Sequence, residues 1–305
     1  MRRAIVTGAD GFLGRHLVAV LEEHGVAVTT LTRRARPKEL SVAMGQAAWY
    51  SARLADIIER SEPDAIFHMV GGAVGSEAEL VQSNLGVTTS IMQALRDVSA
   101  RPLLVCCGSA TEYGSAIVDG VPVSETAACA PVSAYGSSKL AQTKAALEFS
   151  DTTGTPVLVA RIFNPIGPGM PPYLALGDFA RQIAELPACG ALQTGNVLVY
   201  RDFIDVEHVA NSIWMLAENP AARGIVNLCS GEATQLITLV EHLIELSGKN
   251  VVIQPVPARM RPHELNSVVG STTVLAGFGA APPRTDYADV MARIWHHTTT
   301  RWATV

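Results

Sequence analysis

Several classes of protein are excluded by what the sequence lacks. Only 17% of the 305 residues are charged and the formal net charge is −5, so the chain lacks the basic surface that nucleic-acid binding requires. No run approaches the ~18 consecutive apolar residues of a membrane-spanning helix, and a glycine-rich turn begins at Gly8, too early for a signal peptide. We therefore expect a cytoplasmic protein that binds neither nucleic acid nor membrane.

Cysteine is scarce and unsuited to disulfides. The five cysteines include no C-x-x-C pair, and Cys106 and Cys107 are neighbours in one apolar run. Neighbours in a strand point to opposite faces, which argues against a disulfide framework. The sequence also has no cluster of His and Cys at metal-ligand spacing. We expect reduced thiols in a reducing compartment and no bound metal.

The first half of the chain alternates short apolar runs with amphipathic stretches. This alternation predicts right-handed crossovers and a parallel sheet that is covered on both faces. The predicted strands are Ala4–Thr7, Val26–Leu31, Ala65–Val70, Leu103–Cys107 and Val157–Phe163, with a weaker strand near Ala47–Tyr50. The predicted helices are Phe12–His24, Glu79–Val98, Ala134–Ser150 and Tyr287–His297. The segment Pro165–Pro172 is rich in Pro and Gly and predicts a loop.

A glycine-rich turn follows the first predicted strand and opens a helix. Gly8, Gly11 and Gly14 form a G-x-x-G-x-x-G pattern that includes Phe12 and Leu13. The first glycine permits a tight turn, the second lets the backbone approach a pyrophosphate, and the third lets the helix pack on the strand. The phosphates then meet the free N–H groups of the helix N-terminus. This context favours a dinucleotide site over an ordinary turn, and so a Rossmann-type, doubly wound α/β fold.

The end of the second predicted strand bears on the choice of cofactor. A site for NAD places an acidic residue there to bind the ribose 2′-hydroxyl. This chain instead has Arg33 and Arg34, whose guanidinium groups would pair with a 2′-phosphate. The alternative is a solvated basic loop. The pattern favours NADP(H), with NAD(H) as the second choice.

A phenol and an ammonium group lie one helical turn apart at Tyr135 and Lys139. A neighbouring ammonium and an oxidised nicotinamide both favour the phenolate form, because their positive charge lowers the pKa of tyrosine. Tyr135 is thus a candidate general acid for a ketone or general base for an alcohol. Ser109 follows a predicted strand and would hydrogen-bond the same carbonyl oxygen. An exposed helical pair is the alternative for the Tyr–Lys spacing taken alone.

Taken together, these motifs resemble the extended short-chain dehydrogenases/reductases, which include nucleotide-sugar epimerases, dehydratases and reductases. The resemblance covers nearly the whole chain and implies Ser109, Tyr135 and Lys139 as a catalytic triad, with Lys139 also binding the nicotinamide ribose. Asn84 matches the helix asparagine of the family. Val70 would line the cofactor pocket, although the segment around it departs from the usual H-x-A-A.

The resemblance also implies a nucleotide-sugar substrate. Asn164 matches a position that contacts the sugar diphosphate, and Arg201 and Arg261 match positions that bind phosphate. Two arginine forks that converge on a diphosphate make chemical sense, since each can bind its oxygens bidentately. Residues 1–165, completed by segments near 196–230, would bind the cofactor, and a smaller, mixed α/β, partly discontinuous part at 166–305 would bind the nucleotide sugar.

Within the family, the motifs are most similar to GDP-4-keto-6-deoxymannose reductases. Family dehydratases carry a glutamate two residues after the catalytic Ser or Thr, where this chain has Thr111 and places Glu112 one step later. The resemblance therefore implies NADPH-dependent reduction of a C4 ketone, with a dTDP-linked sugar as an open alternative to a GDP-linked one. Two further functions stay open, a 4-epimerase with tightly bound NAD and a non-catalytic dinucleotide sensor. The family also implies a homodimer.

Overall fold

A computed structural model describes residues 1–32, 41–44, 49–260 and 264–302, in which strands and helices alternate. The strands are β1 Arg3–Thr7, β2 Ala27–Thr32, β3 Ser41–Ala43, β4 Ala65–His68, β5 Leu103–Ser109, β6 Val157–Ile162, β7 Asn164–Ile166, β8 Cys189–Thr194, β9 Tyr200–Arg201, β10 Phe203–Asp205, β11 Gly224–Leu228, β12 Thr234–Gln235, β13 Asn250–Pro255 and β14 Ser267–Val268. The α-helices are α1 Phe12–Glu23, α2 Ser51–Ser61, α3 Glu77–Val81, α4 Val87–Asp97, α5 Ala134–Thr153, α6 Ala175–Glu185, α7 Val206–Glu218, α8 Leu236–Ser247, α9 Thr273–Gly277 and α10 Tyr287–Trp302.

Seven strands form one parallel sheet in the order β11-β6-β5-β4-β1-β2-β3. The strand order reverses between β1 and β4, which makes the sheet doubly wound and creates a switch point where ligands of such sheets bind. This confirms the predicted Rossmann-type fold. The remaining strands form three small sheets, β10-β7, β12-β9-β14 and β13-β8.

Apolar side chains cover both faces of the large sheet, because parallel strands are buried on both sides. All six residues of β6 are buried. Helices α1 and α7 cover one face, where Leu17 and Val209 belong to one core. Helices α2, α4 and α5 cover the other face and contribute Ile58, Ile91 and Phe149.

A third core lies in the C-terminal part of the chain. Phe179 of α6, Leu239 of α8 and Ile294 of α10 pack there with Leu192 of β8. The amphipathic pattern that predicted a helix at Tyr287–His297 is confirmed by α10, which extends that helix to Trp302. This core forms the far wall of the cleft described below.

Three predicted elements differ from the structure in detail. The single helix predicted at Glu79–Val98 is interrupted by a π-helical turn at Gln82–Gly86, between α3 and α4. The loop predicted at Pro165–Pro172 overlaps the short strand β7, which tolerates proline because it pairs on one side only, with β10. The weak strand predicted near Ala47–Tyr50 is wrong at Trp49 and Tyr50, which lead directly into α2; residues 45–48 lie outside the described residues.

Two expectations drawn from composition concern membranes and disulfides. Among the helices that the structure describes, none has the length and apolar content required to cross a bilayer. All five cysteines are free thiols, and Cys106 and Cys107 are buried in β5.

A buried carboxylate joins three loops at the C-terminal side of the large sheet. Asp202, between β9 and β10, accepts hydrogen bonds from the backbone N–H groups of Ser230, Gly231 and Gly270 at 2.7, 2.9 and 3.1 Å. The Ser230 hydroxyl donates a fourth at 2.7 Å. The carbonyl of Asp202 also accepts from the Asn164 side chain at 2.8 Å. Asp202 therefore links β7, β9 and the loops that follow β11 and β14.

Replacing Asp202 with alanine should strongly destabilise the fold, because three backbone N–H groups lose a charged acceptor. We expect Asp202→Ala to lower the free energy of unfolding by about 3–5 kcal/mol. Denaturant unfolding followed by circular dichroism measures this. The exposed Asp151 in α5 is the control, with an expected change within about 0.5 kcal/mol for Asp151→Ala. A loss below about 1 kcal/mol for Asp202→Ala would contradict this interpretation.

Candidate active site

A cleft of about 740 Å³ lies between the sheet and the C-terminal core. This volume is in the range of small-molecule and cofactor sites. Most of the residues predicted from sequence meet in it. They are Gly11, Phe12, Leu13, Val70, Ser109, Tyr135, Lys139, Asn164 and Arg201.

The glycine-rich turn forms the end of the cleft at the switch point. Gly8 has a φ of +67°, and a Cβ there would lie 2.9 Å from the backbone of Met69 and Val70. A Cβ at Gly14 would lie 2.1 Å from the Gly8 carbonyl oxygen. Gly11 is the N-cap of α1 and supplies no side-chain cap, so the N–H groups of the first turn are available to an anion. The turn has the shape that a dinucleotide pyrophosphate needs.

Three predicted binding residues cannot be placed. Arg33 and Arg34 lie within residues 33–40, and Arg261 lies within residues 261–263. Both segments fall outside the described residues. The predictions for a 2′-phosphate and for a second phosphate-binding arginine therefore rest on sequence alone.

Ser109 ends strand β5, and its hydroxyl orientation is set by the next turn. The Thr111 backbone N–H donates to Ser109 Oγ at 3.2 Å, and the Thr111 hydroxyl donates to the same atom at 2.9 Å. Both lone pairs of Ser109 Oγ are thus occupied, which leaves its own proton to be donated elsewhere. Ser109 therefore acts as a hydrogen-bond donor toward the cleft.

Glu112 points away from the cleft, as its sequence position predicts. Its carboxylate accepts from the Ser109 backbone N–H at 2.8 Å and from Arg161 Nε at 2.9 Å. The Glu112 side chain is fully buried, and the Arg161 guanidinium lies over the Tyr113 ring at 4.7 Å. Glu112 is thus a structural ion-pair partner that fixes the end of β5. Glu112 is not among the residues that line the cleft.

Tyr135 lies in the first turn of α5 and faces Ser109. Burial raises the pKa of Tyr135 to about 12, and the hydrogen bond with Ser109 acts in the opposite direction. The chain by itself therefore keeps the phenol protonated, whereas the sequence suggested a pKa lowered by Lys139. Burial prevails because it disfavours the charged phenolate, and the negative charge of Glu112 acts in the same direction.

Lys139 is buried behind Tyr135, with 4% of its surface exposed. Its Nζ donates to the Cys107 carbonyl and to Gln142 Oε1, both at 2.8 Å. Burial lowers the pKa of Lys139 from its ordinary value. Its ammonium group therefore has neutral hydrogen-bond partners and reaches the cleft from the side of β5.

A π-helical turn at Gln82–Gly86 carries Asn84. It inserts an extra residue before α4 and directs Asn84 toward the cleft wall. Asn84 Nδ2 donates to the Gly72 carbonyl at 3.0 Å and to Ser138 Oγ at 2.9 Å, while its Oδ1 accepts from the Gly72 N–H at 3.1 Å. Asn84 thereby fixes the loop that follows β4 against α5.

Asn164 and Arg201 lie at the opposite end of the cleft. The Asn164 side chain is oriented by its bond to the Asp202 carbonyl. Arg201 Nη2 forms an ion pair with Glu264 at 3.1 Å, and Nη1 donates to the carbonyls of Tyr200 and Leu265 at 2.7 and 3.0 Å. Arg201 is therefore held in position before any substrate binds.

Sequence reasoning missed several other residues that line the cleft. They are Thr111, Tyr173, Asp178, Asn196, Arg259 and Glu264. Asp178 and Arg259 form an ion pair at 2.6 Å across 81 residues of sequence. No local motif signals such a pair, because the two residues come together only when α6 packs on the loop after β13.

Comparison with known proteins agrees with this geometry. The model of the NAD dependent epimerase/dehydratase family matches residues 4–229. The chain belongs to this family. It is 32% identical to GDP-6-deoxy-D-mannose reductase of Pseudomonas aeruginosa over 278 residues, which cover 88% of each chain. The extended short-chain dehydrogenase/reductase predicted from the motifs is thus confirmed, and the protein is an enzyme of that type.

Two further members of the family are similar over most of the chain. A dTDP-6-deoxy-L-talose 4-dehydrogenase (NAD(P)(+)) of Kitasatospora kifunensis is 32% identical over 264 residues, which cover 84% of this chain and 82% of that protein. The solved structure of RMD from Pseudomonas aeruginosa, complexed with NADPH, superposes with a TM-score of 0.84 at 28% identity and covers 99% of this chain and 98% of that one. The architecture of the whole described chain is therefore that of the family.

The contact between α1 and the glycine turn generates a prediction about Gly14. We expect Gly14→Ala to destabilise the fold by about 2–3 kcal/mol, because the new methyl group collides with the Gly8 carbonyl. Displacing α1 should also weaken dinucleotide binding roughly tenfold or more, since the phosphate amides move. Thermal unfolding with and without added NADP(H) measures both effects.

Gly277 provides the matched control for this substitution. It lies in α9 with open space around it, so Gly277→Ala should be neutral or stabilising by up to about 1 kcal/mol. Equal behaviour of the two alanine variants would show that the close approach at Gly14 is unimportant.

Proposed function

We propose that this protein is an NADPH-dependent reductase of the C4 ketone of a nucleotide-diphospho-4-keto-6-deoxyhexose. A GDP-linked sugar is favoured and a dTDP-linked sugar is the alternative. The observation that carries this proposal is the convergence of Ser109, Tyr135 and Lys139 on one cleft whose end is formed by the glycine turn. In this arrangement the phenol is kept protonated by burial, as the acid of a ketone reduction must be.

The cofactor part of the proposal rests on the glycine turn and on two arginines. Gly8, Gly11 and Gly14, with the amides of Phe12 and Leu13, would bind the pyrophosphate, while Val70 lines the pocket. Arg33 and Arg34 favour NADP(H) over NAD(H) because guanidinium groups pair with a 2′-phosphate. The relative from Pseudomonas aeruginosa was solved with NADPH, which supports the same choice.

The proposed mechanism assigns one role to each catalytic side chain. The bound dinucleotide supplies hydride to C4 of the sugar. Tyr135 donates its phenolic proton to the C4 oxygen, and the Ser109 hydroxyl, oriented by Thr111, donates a hydrogen bond to the same oxygen. The Lys139 ammonium stabilises the phenolate form of Tyr135 after the proton has been donated, and it would bind the nicotinamide ribose.

The substrate part of the proposal rests on the other end of the cleft. Asn164, Arg201 and Arg261 would contact the sugar diphosphate. Arg201 is already oriented by Glu264, so little side-chain entropy is lost when a phosphate binds beside its guanidinium group. The two relatives named for GDP- and dTDP-linked 6-deoxysugars support a deoxysugar substrate and leave both bases in the proposal.

We also propose the division of the chain that the sequence predicts. Residues 1–165, with 196–230, would bind the cofactor, and 166–305 would bind the nucleotide sugar. Strand β11 and helix α7 within 196–230 join the large sheet and its covering layer, which supports this assignment. A homodimer through α5, in the cytoplasm, completes the proposal.

The direct test is NADPH oxidation followed by the nicotinamide absorbance, with GDP- or dTDP-4-keto-6-deoxyhexose made in situ. Consumption that depends on one of the two sugars is the expected result, and it identifies the nucleotide. No consumption with either sugar, together with NAD that copurifies with the protein, would overturn the reductase and favour a 4-epimerase.

Removing the phenolic proton should stop the reaction without disturbing the cofactor. We expect Tyr135→Phe to lower kcat roughly 10²- to 10⁴-fold, the range of general acid catalysis, while the Kd for NADPH changes by less than about threefold, because the ring is retained. Steady-state kinetics and fluorescence titration measure the two quantities. Tyr200→Phe, outside the cleft lining, is the control. Full activity in Tyr135→Phe would remove Tyr135 as the acid.

The choice of cofactor can be tested at Arg33. Arg33→Ala should weaken NADPH binding by about 1–3 kcal/mol, since a charge-assisted contact to the 2′-phosphate is lost, and should leave NADH binding nearly unchanged. Parallel titrations with both nucleotides measure the difference. Arg60→Ala, at an exposed position of α2, controls for the loss of one positive charge. Equal weakening of both nucleotides would exclude the 2′-phosphate contact.

A further inference from the structure

A chain of buried hydrogen bonds runs behind Lys139 and across the large sheet. Lys139 Nζ donates to Gln142 Oε1 at 2.8 Å, and Gln142 Nε2 donates to Thr88 Oγ1 at 2.9 Å. Thr88 Oγ1 lies 2.8 Å from His68 Nε2, and His68 Nδ1 lies 2.9 Å from Thr7 Oγ1. Each of these five side chains is at most 4% exposed. The chain connects α5, α4, β4 and β1.

The hydrogen-bonding partners determine where every proton in this chain lies. The Thr88 hydroxyl donates to the Asn84 carbonyl at 2.7 Å, so its lone pairs accept from Gln142 and from His68. His68 must therefore carry its proton on Nε2 and accept at Nδ1 from the Thr7 hydroxyl. Lys139 only donates, which requires the oxygen of the Gln142 amide to face it. One arrangement of protons accounts for every hydrogen bond in this chain.

The far end of the chain reaches the glycine turn. Thr7 is the last residue of β1 and directly precedes Gly8. Its hydroxyl oxygen also accepts from the Val70 backbone N–H at 3.4 Å. One chain of hydrogen bonds thus connects the Lys139 ammonium to the glycine turn. The ammonium faces the proposed nicotinamide ribose, and the turn faces the proposed pyrophosphate.

We propose that Gln142 is a positioning residue that holds the Lys139 ammonium at the cleft, with its amide orientation fixed by Thr88 and His68. The inference rests on the proposed role of Lys139 in the reaction. Without the Gln142 oxygen, one of the three ammonium protons loses its acceptor in a buried site. Without the Thr88 hydroxyl, the amide loses the contact that fixes its orientation.

Within the part of the chain that the structure describes, Lys139 donates to a carbonyl and an amide and to no carboxylate, so the neutral Gln142 amide determines much of its environment. The titratable groups around it are the Cys107 and Cys106 thiols of β5, Glu112, His68 of β4, and Tyr135 one turn earlier in α5. Glu112 is bound to Arg161, and burial lowers the pKa of His68 to about 3, which keeps it neutral near pH 7. A charge introduced at Gln142 would therefore act on Lys139 with little competition from other charged groups.

The experiment compares Gln142→Leu, which removes the amide at similar volume, with Gln142→Glu, which places a carboxylate beside the ammonium. Two readouts apply to the protein without substrate. Carbon-13 NMR of labelled lysine side chains reports the pKa of Lys139, and fluorescence titration reports the Kd for NADPH. The third readout is the pH profile of kcat with the ketone substrate.

We expect opposite shifts from the two variants. Gln142→Glu should raise the pKa of Lys139 by roughly one unit or more, and Gln142→Leu should lower it further. Gln142→Leu should also weaken NADPH binding roughly tenfold, the effect of a lost hydrogen bond to a charged group. The alkaline limb of the pH profile should move in the same direction as the Lys139 pKa.

Two control sets separate positioning from packing. The neighbouring Thr143 is equally buried in α5, and its hydroxyl has no hydrogen-bond partner among the described residues, so Thr143→Val should leave all readouts unchanged. Thr88→Val removes the central hydroxyl, and Thr88→Ser retains it. We expect Thr88→Val to weaken NADPH binding at least threefold and Thr88→Ser to restore it, effects in the range of one hydrogen bond.

Nitrogen-15 NMR reports the tautomer of His68 in the wild-type protein. This measurement requires neither enzyme activity nor a folded Gln142 variant. The wild-type protein should show the Nε2–H tautomer at neutral pH. The opposite tautomer, or an unchanged Lys139 pKa and NADPH Kd in both Gln142 variants, would overturn the proposal. If the wild-type protein does not reduce ketosugars, the proposed function is contradicted. The Lys139 pKa, the NADPH Kd and the His68 tautomer would then still test the role of Gln142.

Discussion

The position of the cleft depends on one close approach between backbone segments. Helix α1 packs on the turn after β1 at a distance that no side chain at Gly14 permits, and Gly8 adopts a positive φ against the backbone after β4. These contacts bring the N-terminus of α1 to the switch point of the sheet, between β1 and β4. The other walls are built on β5 and β6, the next strands in the sheet, so their distance from the turn follows from regular strand spacing.

Burial without a counter-charge is the second constraint on the site. Glu112 is the acidic residue nearest in sequence to Ser109, and it is bound by Arg161. Lys139 is left with a carbonyl and an amide as partners, while burial keeps Tyr135 protonated. An acid that holds its proton until a more basic oxygen forms beside it is suited to reduction of a ketone.

Much of the fold followed from local pattern. Apolar runs bounded by turn residues predicted the central strands, and amphipathic spacing predicted α1, α5 and α10. The predicted elements differ from the structure where a tertiary contact overrides the local sequence pattern. A π-helical turn divides the helix predicted at Glu79–Val98 because Asn84 is directed toward Gly72 and Ser138, and β7 forms in a proline-rich segment because β10 pairs with it. Tertiary partners decided both cases.

The sequence by itself determined the glycine turn, the Tyr135–Lys139 spacing and the strand that precedes Ser109, because each is specified by residues close in the chain. The tertiary structure alone decided which acid meets which base. Glu112 meets Arg161 because β5 and β6 are neighbours in the sheet, and Asp178 meets Arg259 because α6 packs on the loop after β13. No local sequence motif identifies Gln142 either, since its role depends on hydrogen bonds that connect its amide to Thr88 and His68 on other elements. Spacing along a helix or strand is a local property, whereas hydrogen-bond partners across a sheet depend on how the elements pack.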